Sequence, residues 1–263
     1  MTSTSAAKRT RHVLASILAL AAILALGASL VLSAAHAGQT RTDESMADQP
    51  TSLSLSAKQQ AIPLIAAAMA TSNMPQLEAA LNRGLDAGLT VSECKEILVQ
   101  LYAYTGFPRS LNALGELMRL VDARKQRGLQ DAPGEEPSND IPVGDALLSL
   151  GKANQTRISG APVAGPVMEF APVINQYLQS HLFGDIFERD NLDWQSRELA
   201  TVGALAATPG VEAQLRSHMA ASLRVGLTAS QLRQLVQLLQ ASGDTASATR
   251  AGQALDQHLD ASR

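Results

Sequence analysis

Gly88-Leu89-Thr90-Val91-Ser92-Glu93 returns 138 residues later as Gly226-Leu227-Thr228-Ala229-Ser230-Gln231. Each copy reads as the end of one helix and the start of the next. A threonine followed three positions on by Glu or Gln is a capping box, in which the hydroxyl and the longer side chain satisfy each other's backbone N–H groups. The glycine ahead of it suits the left-handed residue that closes the preceding helix. After each box the apolar residues fall at helical spacing, Cys94, Ile97, Leu98 and Leu101 in one copy and Leu232, Leu235, Val236 and Leu239 in the other. Upstream, Leu77 pairs with Leu215, Leu85 with Leu223, and Ile62 and Leu64 fall on Ala200 and Val202.

Working outward, this register predicts helices over about 55–70, 74–87, 91–105 and 108–124, and again over 193–207, 209–225, 229–241 and 244–260. Further helical stretches are expected at 143–155 and 165–183. No alternating strand pattern of useful length appears, so the fold class is all-α, two tandem helical repeats. The divisions are a first repeat over 53–124, a linker over 125–164 rich in loop formers such as Ala132-Pro133-Gly134-Glu135-Glu136-Pro137, and a second repeat over 165–263. Composition agrees. Only 3% of the 263 residues are aromatic, few for strands that favour such side chains, while Ala and Leu dominate.

Residues 1–37 read as an export signal. Lys8, Arg9 and Arg11 precede an apolar run, and Ala35-His36-Ala37 has the small-x-small form cut by signal peptidase. The run is also long enough for an uncleaved membrane anchor. Either way the rest of the chain is expected outside the cytoplasm, periplasmic or secreted, with 38–52 as a polar tether. Without the signal, 18 Lys+Arg stand against 24 Asp+Glu, a net charge of −6, which excludes a basic nucleic-acid surface. The single cysteine, Cys94, excludes an internal disulfide, a CxxC pair and a cysteine-rich zinc site. On the apolar face of its helix it reads as a small core residue. His181 and His258 have no partner at metal-ligand spacing, so no metal site is expected.

Glu198 and His218 lie 20 residues apart on consecutive predicted helices. Antiparallel packing would bring them together, and a carboxylate on one imidazole nitrogen fixes the tautomer and leaves the other nitrogen for proton transfer. The plain alternative is a surface histidine, with Glu198 paired to Arg197 or Arg216.

Longer motifs surround these positions. The first copy runs Gly88-Leu89-Thr90, Glu93, Glu96-Ile97, Gln100, Tyr104-Thr105-Gly106-Phe107-Pro108, Asn112-Ala113. The second has Phe183-Gly184-Asp185-Ile186-Phe187-Glu188-Arg189-Asp190-Asn191-Leu192-Asp193, Arg197-Glu198-Leu199, and Gln214-Leu215-Arg216-Ser217-His218. Over about residues 52–260 the chain resembles the carboxymuconolactone decarboxylase family of the alkylhydroperoxidase-D-like all-helical superfamily. The resemblance implies that the proton-relay Glu and His fall on Glu198 and His218. In the first copy Gln60 and Ala80 stand at those places, so that copy looks silent. Tyr104, Phe107 and Pro108 are then expected to wall the site, and Arg216 or Arg109 to hold a substrate carboxylate. The substrate class implied is a small lactone-type acid, decarboxylated by proton transfer without cofactor. The superfamily's peroxidase branch carries a CxxC near what are here Val211 and Gln214, so hydroperoxide reduction is the disfavoured alternative, and a non-catalytic small-molecule-binding member is the third. Family members assemble through their helices, which makes a homo-oligomer, a trimer, the expected state.

Overall fold

The computed structural model describes residues 53–261, and the expected signal and tether lie outside them. The described residues hold helices and loops and no strand. In chain order the helices are α1 (Ala57–Ala70), α2 (Met74–Asp86), α3 (Val91–Gln100), α4 (Tyr102–Thr105), α5 (Phe107–Gln126), α6 (Asp145–Ser159), α7 (Pro166–Phe170), α8 (Pro172–Tyr177), a π-helical segment (Leu178–Ile186), α9 (Trp194–Ala206), α10 (Glu212–Arg224), α11 (Ala229–Ala241) and α12 (Thr245–Ala261). No helix among them is long and apolar enough to cross a membrane.

The capping boxes form as read. Thr90 and Glu93 cap α3, and Thr228 and Gln231 cap α11. Gly88 and Gly226 sit at φ 92° and 101°. In both copies the same two bonds close the helix: Gly88 N–H to Leu85 and Leu89 N–H to Gly84, then Gly226 N–H to Leu223 and Leu227 N–H to Ser222. This is the Schellman arrangement, which satisfies the last free carbonyls. The bounds of α2 and α10 differ by 138 at both ends.

Both copies feed one core. Ile62, Ile65, Met69, Leu77, Leu81, Ile97 and Leu98 are buried with Leu199, Leu215, Leu232, Leu235 and Leu239 in a single cluster. Its seam is α1 against α9, both rich in alanine, where Gly203 meets the backbone of Pro63. A Cβ on Gly203 would lie 2.6 Å from the Pro63 oxygen and 2.7 Å from its Cα. Alanine normally gains about 1 kcal/mol over glycine inside a helix. Here rigid backbone stands in the way, and overpacking of this kind costs about 1–3 kcal/mol. The Gly203→Ala protein is therefore expected to be less stable than the wild type in urea unfolding. Equal or greater stability would show that the seam yields freely.

The stretch expected as a linker is well fastened. Val91 and Ser92 N–H groups donate to the carbonyls of Ala132 and Pro133, both at 2.9 Å, and Ser138 N–H donates to Asp190. Helix α6 lies within it and packs on the π-helical segment. Gly151 makes that possible, since a Cβ there would collide with the Gln179 carbonyl. The single helix expected over 165–183 is broken instead. Pro172 disfavours helical backbone at the residue before it, and Ala171 stands at φ −132°, ψ 73°. Leu182, Phe183, Ile186 and Phe187 form a second apolar cluster with Ile158 of α6 and Ala221 of α10.

Candidate active site

Helices α9 and α10 run back over each other through a short turn and bring Glu198 and His218 together. His218 Nδ1 lies 2.8 Å from Glu198 Oε2. Glu198 is fully buried, because α9 is covered on all sides from Ser196 to Ala206. Its second oxygen, Oε1, is buried without a hydrogen-bond partner. The His218 side chain is 15% exposed and faces a cavity of ≈ 620 Å³. Apolar side chains from α6, the π-helical segment, α9 and α10 make most of its wall, among them Ile158, Leu178, Leu182, Phe183 and Leu205.

Tyr104, on α4 of the first copy, closes one side. Its ring meets that of His218 edge-on at 5.5 Å. Its hydroxyl is buried and lacks a well-formed hydrogen bond. Burial, followed by the charge of Glu198, pushes the phenol far above its usual range, and a nearby Thr201 hydroxyl offsets only part of this. That hydroxyl is already engaged, donating to the Arg197 carbonyl and accepting from Gln100. The phenol thus stays a protonated donor.

The other expected contacts lie elsewhere. Phe107 is 61% exposed and stacks on Tyr102 at 4.2 Å. Pro108 starts α5 on the surface, and Arg109 is exposed and donates to the Thr105 carbonyl. Arg216 is exposed and outside the cavity. It lies two positions before His218 on the helix, a turn of about 200° at 3.6 residues per turn, so it points away. Gln214, Ser217, Ala221 and Arg224 reach the cavity instead. The spacing 214, 217, 218, 221, 224 is one helix face, a signal present in the sequence.

At an offset of 138, seven cavity positions recur around a smaller hollow of ≈ 310 Å³: Ala67, Gln76, Ala79, Ala80, Arg83, Ala241 and Ser242. There Ala80 replaces His218, and Gln60 donates to the Leu55 carbonyl. No imidazole lines this hollow, and its one lining carboxylate, Asp244, comes from a position with no counterpart in the larger cavity.

Cys94 is buried beneath α3, and desolvation pushes its thiol up to about 12. Since the thiolate is the reactive form, the folded protein is expected to resist a thiol-specific disulfide reagent at pH 8 and to react fully once unfolded. Rapid labelling of the folded protein would contradict this burial. Val211 and Gln214, where the peroxidase branch carries its cysteines, both line the cavity and offer it no sulfur. Among the described residues no three His, Cys, Asp or Glu side chains gather as a metal site.

No curated protein matches the chain at a significant level. Residues 172–257, which carry Glu198, His218 and the whole of α9 and α10, match the model of the carboxymuconolactone decarboxylase family.

Proposed function

We propose that the protein is an acid–base enzyme of the carboxymuconolactone decarboxylase type, acting on a lactone-type acid by proton transfer at carbon. The observation that carries this reading is the 2.8 Å contact between Glu198 and an imidazole on the wall of a largely apolar cavity. An ionised carboxylate only accepts hydrogen bonds, so Nδ1 carries the proton and Nε2 is left to the ligand. In the reaction a C–C bond to the carboxylate breaks and carbon dioxide leaves. The electron pair passes into the conjugated lactone carbonyl as an enolate. Tyr104 lines the cavity, and its hydroxyl, buried beside it without a well-formed hydrogen bond, is the donor we assign to the enolate oxygen. His218, which has taken a proton from solvent on Nε2 with Glu198 beside Nδ1–H, delivers that proton to carbon and returns to its neutral form. The residues require no cofactor for these steps.

Hydroperoxide reduction is the weaker reading, because it needs a thiolate in the cavity and the chain's one thiol is buried elsewhere. The test follows carbon dioxide release from carboxylated unsaturated γ-lactones, beside hydroperoxide consumption with a dithiol reductant. Lactone turnover supports the proposal. Hydroperoxide turnover that depends on Cys94, with no lactone turnover, overturns it.

A further inference from the structure

We propose that the cavity takes a two-ended ligand, a medium-chain carboxylate whose anionic head is held at the mouth by Arg224 and whose apolar body reaches inward to His218. The proposal rests on the catalytic reading only for what happens at the inner end.

Three observations carry it. The first is charge. No carboxylate lines the cavity, and its lining includes Arg224 and His218. Glu198 stands behind His218 and is bonded to it. The second is the state of Arg224, which is exposed at the rim and makes no ion pair among the described residues. Its bond is a long one, from Nη1 to the Ile158 carbonyl at 3.4 Å. Its guanidinium occupies space beside Gly160, which has φ 81° and where a Cβ would approach Nε to 2.6 Å. An arginine fork without an acidic partner is suited to a bidentate carboxylate.

The third is size. Arg224 follows His218 by six residues on α10, about 9 Å along the helix axis at 1.5 Å per residue. Between them lie Ala221 and the apolar walls from Ile158, Leu182 and Phe183. A cavity of ≈ 620 Å³ falls mid-range among sites that enclose drug-sized ligands, so a single-ring acid would fill only part of it. A carboxylate held at Arg224 is too far out to be the group that reacts at His218. The anchoring anion and the reacting centre are therefore separate parts of one molecule.

Calorimetric titration of the full chain tests this with decanoate, decanol and acetate. Decanoate is expected to bind about tenfold or more tightly than decanol, and acetate not measurably. Arg224→Gln should weaken decanoate by about the same factor and leave decanol unchanged, whereas Arg224→Lys should restore part of the loss. Arg216→Gln, on the same helix but outside the cavity, should leave decanoate binding unchanged. Equal binding of decanoate and decanol, or decanoate binding indifferent to Arg224→Gln, overturns the proposal. Arg224-dependent binding of decanoate without turnover of any lactone acid would retain this inference and remove the catalytic one. Turnover dependent on His218 with no decanoate binding would do the reverse.

Discussion

The His218→Gln protein is expected to lose about 10²- to 10⁴-fold in kcat on a carboxylated γ-lactone while KM changes little, the range that a positioned general acid–base group supplies. The direction follows from geometry. Glutamine can occupy the space of the imidazole, yet it cannot carry a proton from Glu198 to the cavity. On our reading the anchoring anion is a carboxylate other than the one that leaves and is held at Arg224, so substrate binding should survive. Glu198→Gln should also lower kcat, because the amide no longer favours a proton on Nδ1 or an imidazolium next to it. The two residues act as one unit, so the double variant should be scarcely worse than His218→Gln alone. Additive losses in the double variant would mean that the 2.8 Å contact does not couple the pair in catalysis. A change confined to KM would make His218 a binding residue.

This pair was legible in the sequence for a simple reason. Both residues sit on helices whose bounds are fixed by local chemistry, the Asp193 cap at the start of α9 and Gly226 after the end of α10. Once the helices are known, a 20-residue separation across a short turn leaves the side chains adjacent. The capping boxes were legible for the same reason, since they need only residues three apart.

The cavity was not legible, because its outer wall comes from the end of α6, beyond the expected helix, and from a segment expected as one unbroken helix. Pro172 breaks the expected helix, and the chain between Leu178 and Ile186 winds as a π-helix. Their position depends on close approaches such as that of Gly151 to the Gln179 carbonyl, which no local rule announces. The choice of arginine went astray differently. Arg216 is near His218 in number, while Arg224 is near the cavity in space, and only the helical face distinguishes them. Tyr104 reaches the cavity but Phe107 and Pro108 do not, because the turn at Gly106, with φ 85°, sends the chain away to start α5.

The second large effect concerns what holds Glu198 in place. Its neighbour Arg197 is fully buried and points the other way, into the first copy. There Nη2 donates to Glu96 at 2.9 Å and Nη1 to Gln100 at 2.9 Å. Glu96, itself buried, also accepts from Arg189 at 2.9 Å. Burial lowers the affinity of the Arg197 guanidinium for its proton, and Glu96 is the main opposing influence. Removing Glu96 takes away the carboxylate bonded to this buried cation, and breaking a buried pair from one side costs about 3–5 kcal/mol. Against a total of about 5–15 kcal/mol for an ordinary domain, the Glu96→Ala protein should be marginal or unfolded at 37 °C. Urea unfolding at lower temperature reads the loss directly.

The complementary variant separates charge from packing. Replacing Glu96 with leucine and Arg197 with methionine removes both charges and keeps much of the volume. It should recover most of the stability that Glu96→Ala loses, because an apolar pair avoids the desolvation of two ions. Its activity is the informative readout. If the ion pair serves only to fold the chain, turnover recovers with stability. If it sets the rotation of α9, and so the aim of Glu198 at His218, turnover stays low in a protein that is again stable. We expect the second result, since Arg197 is bonded to side chains of α3 through two of its nitrogens and is adjacent in sequence to Glu198, the carboxylate we propose for the relay. Full recovery of kcat in the double variant would show that the network contributes to folding alone.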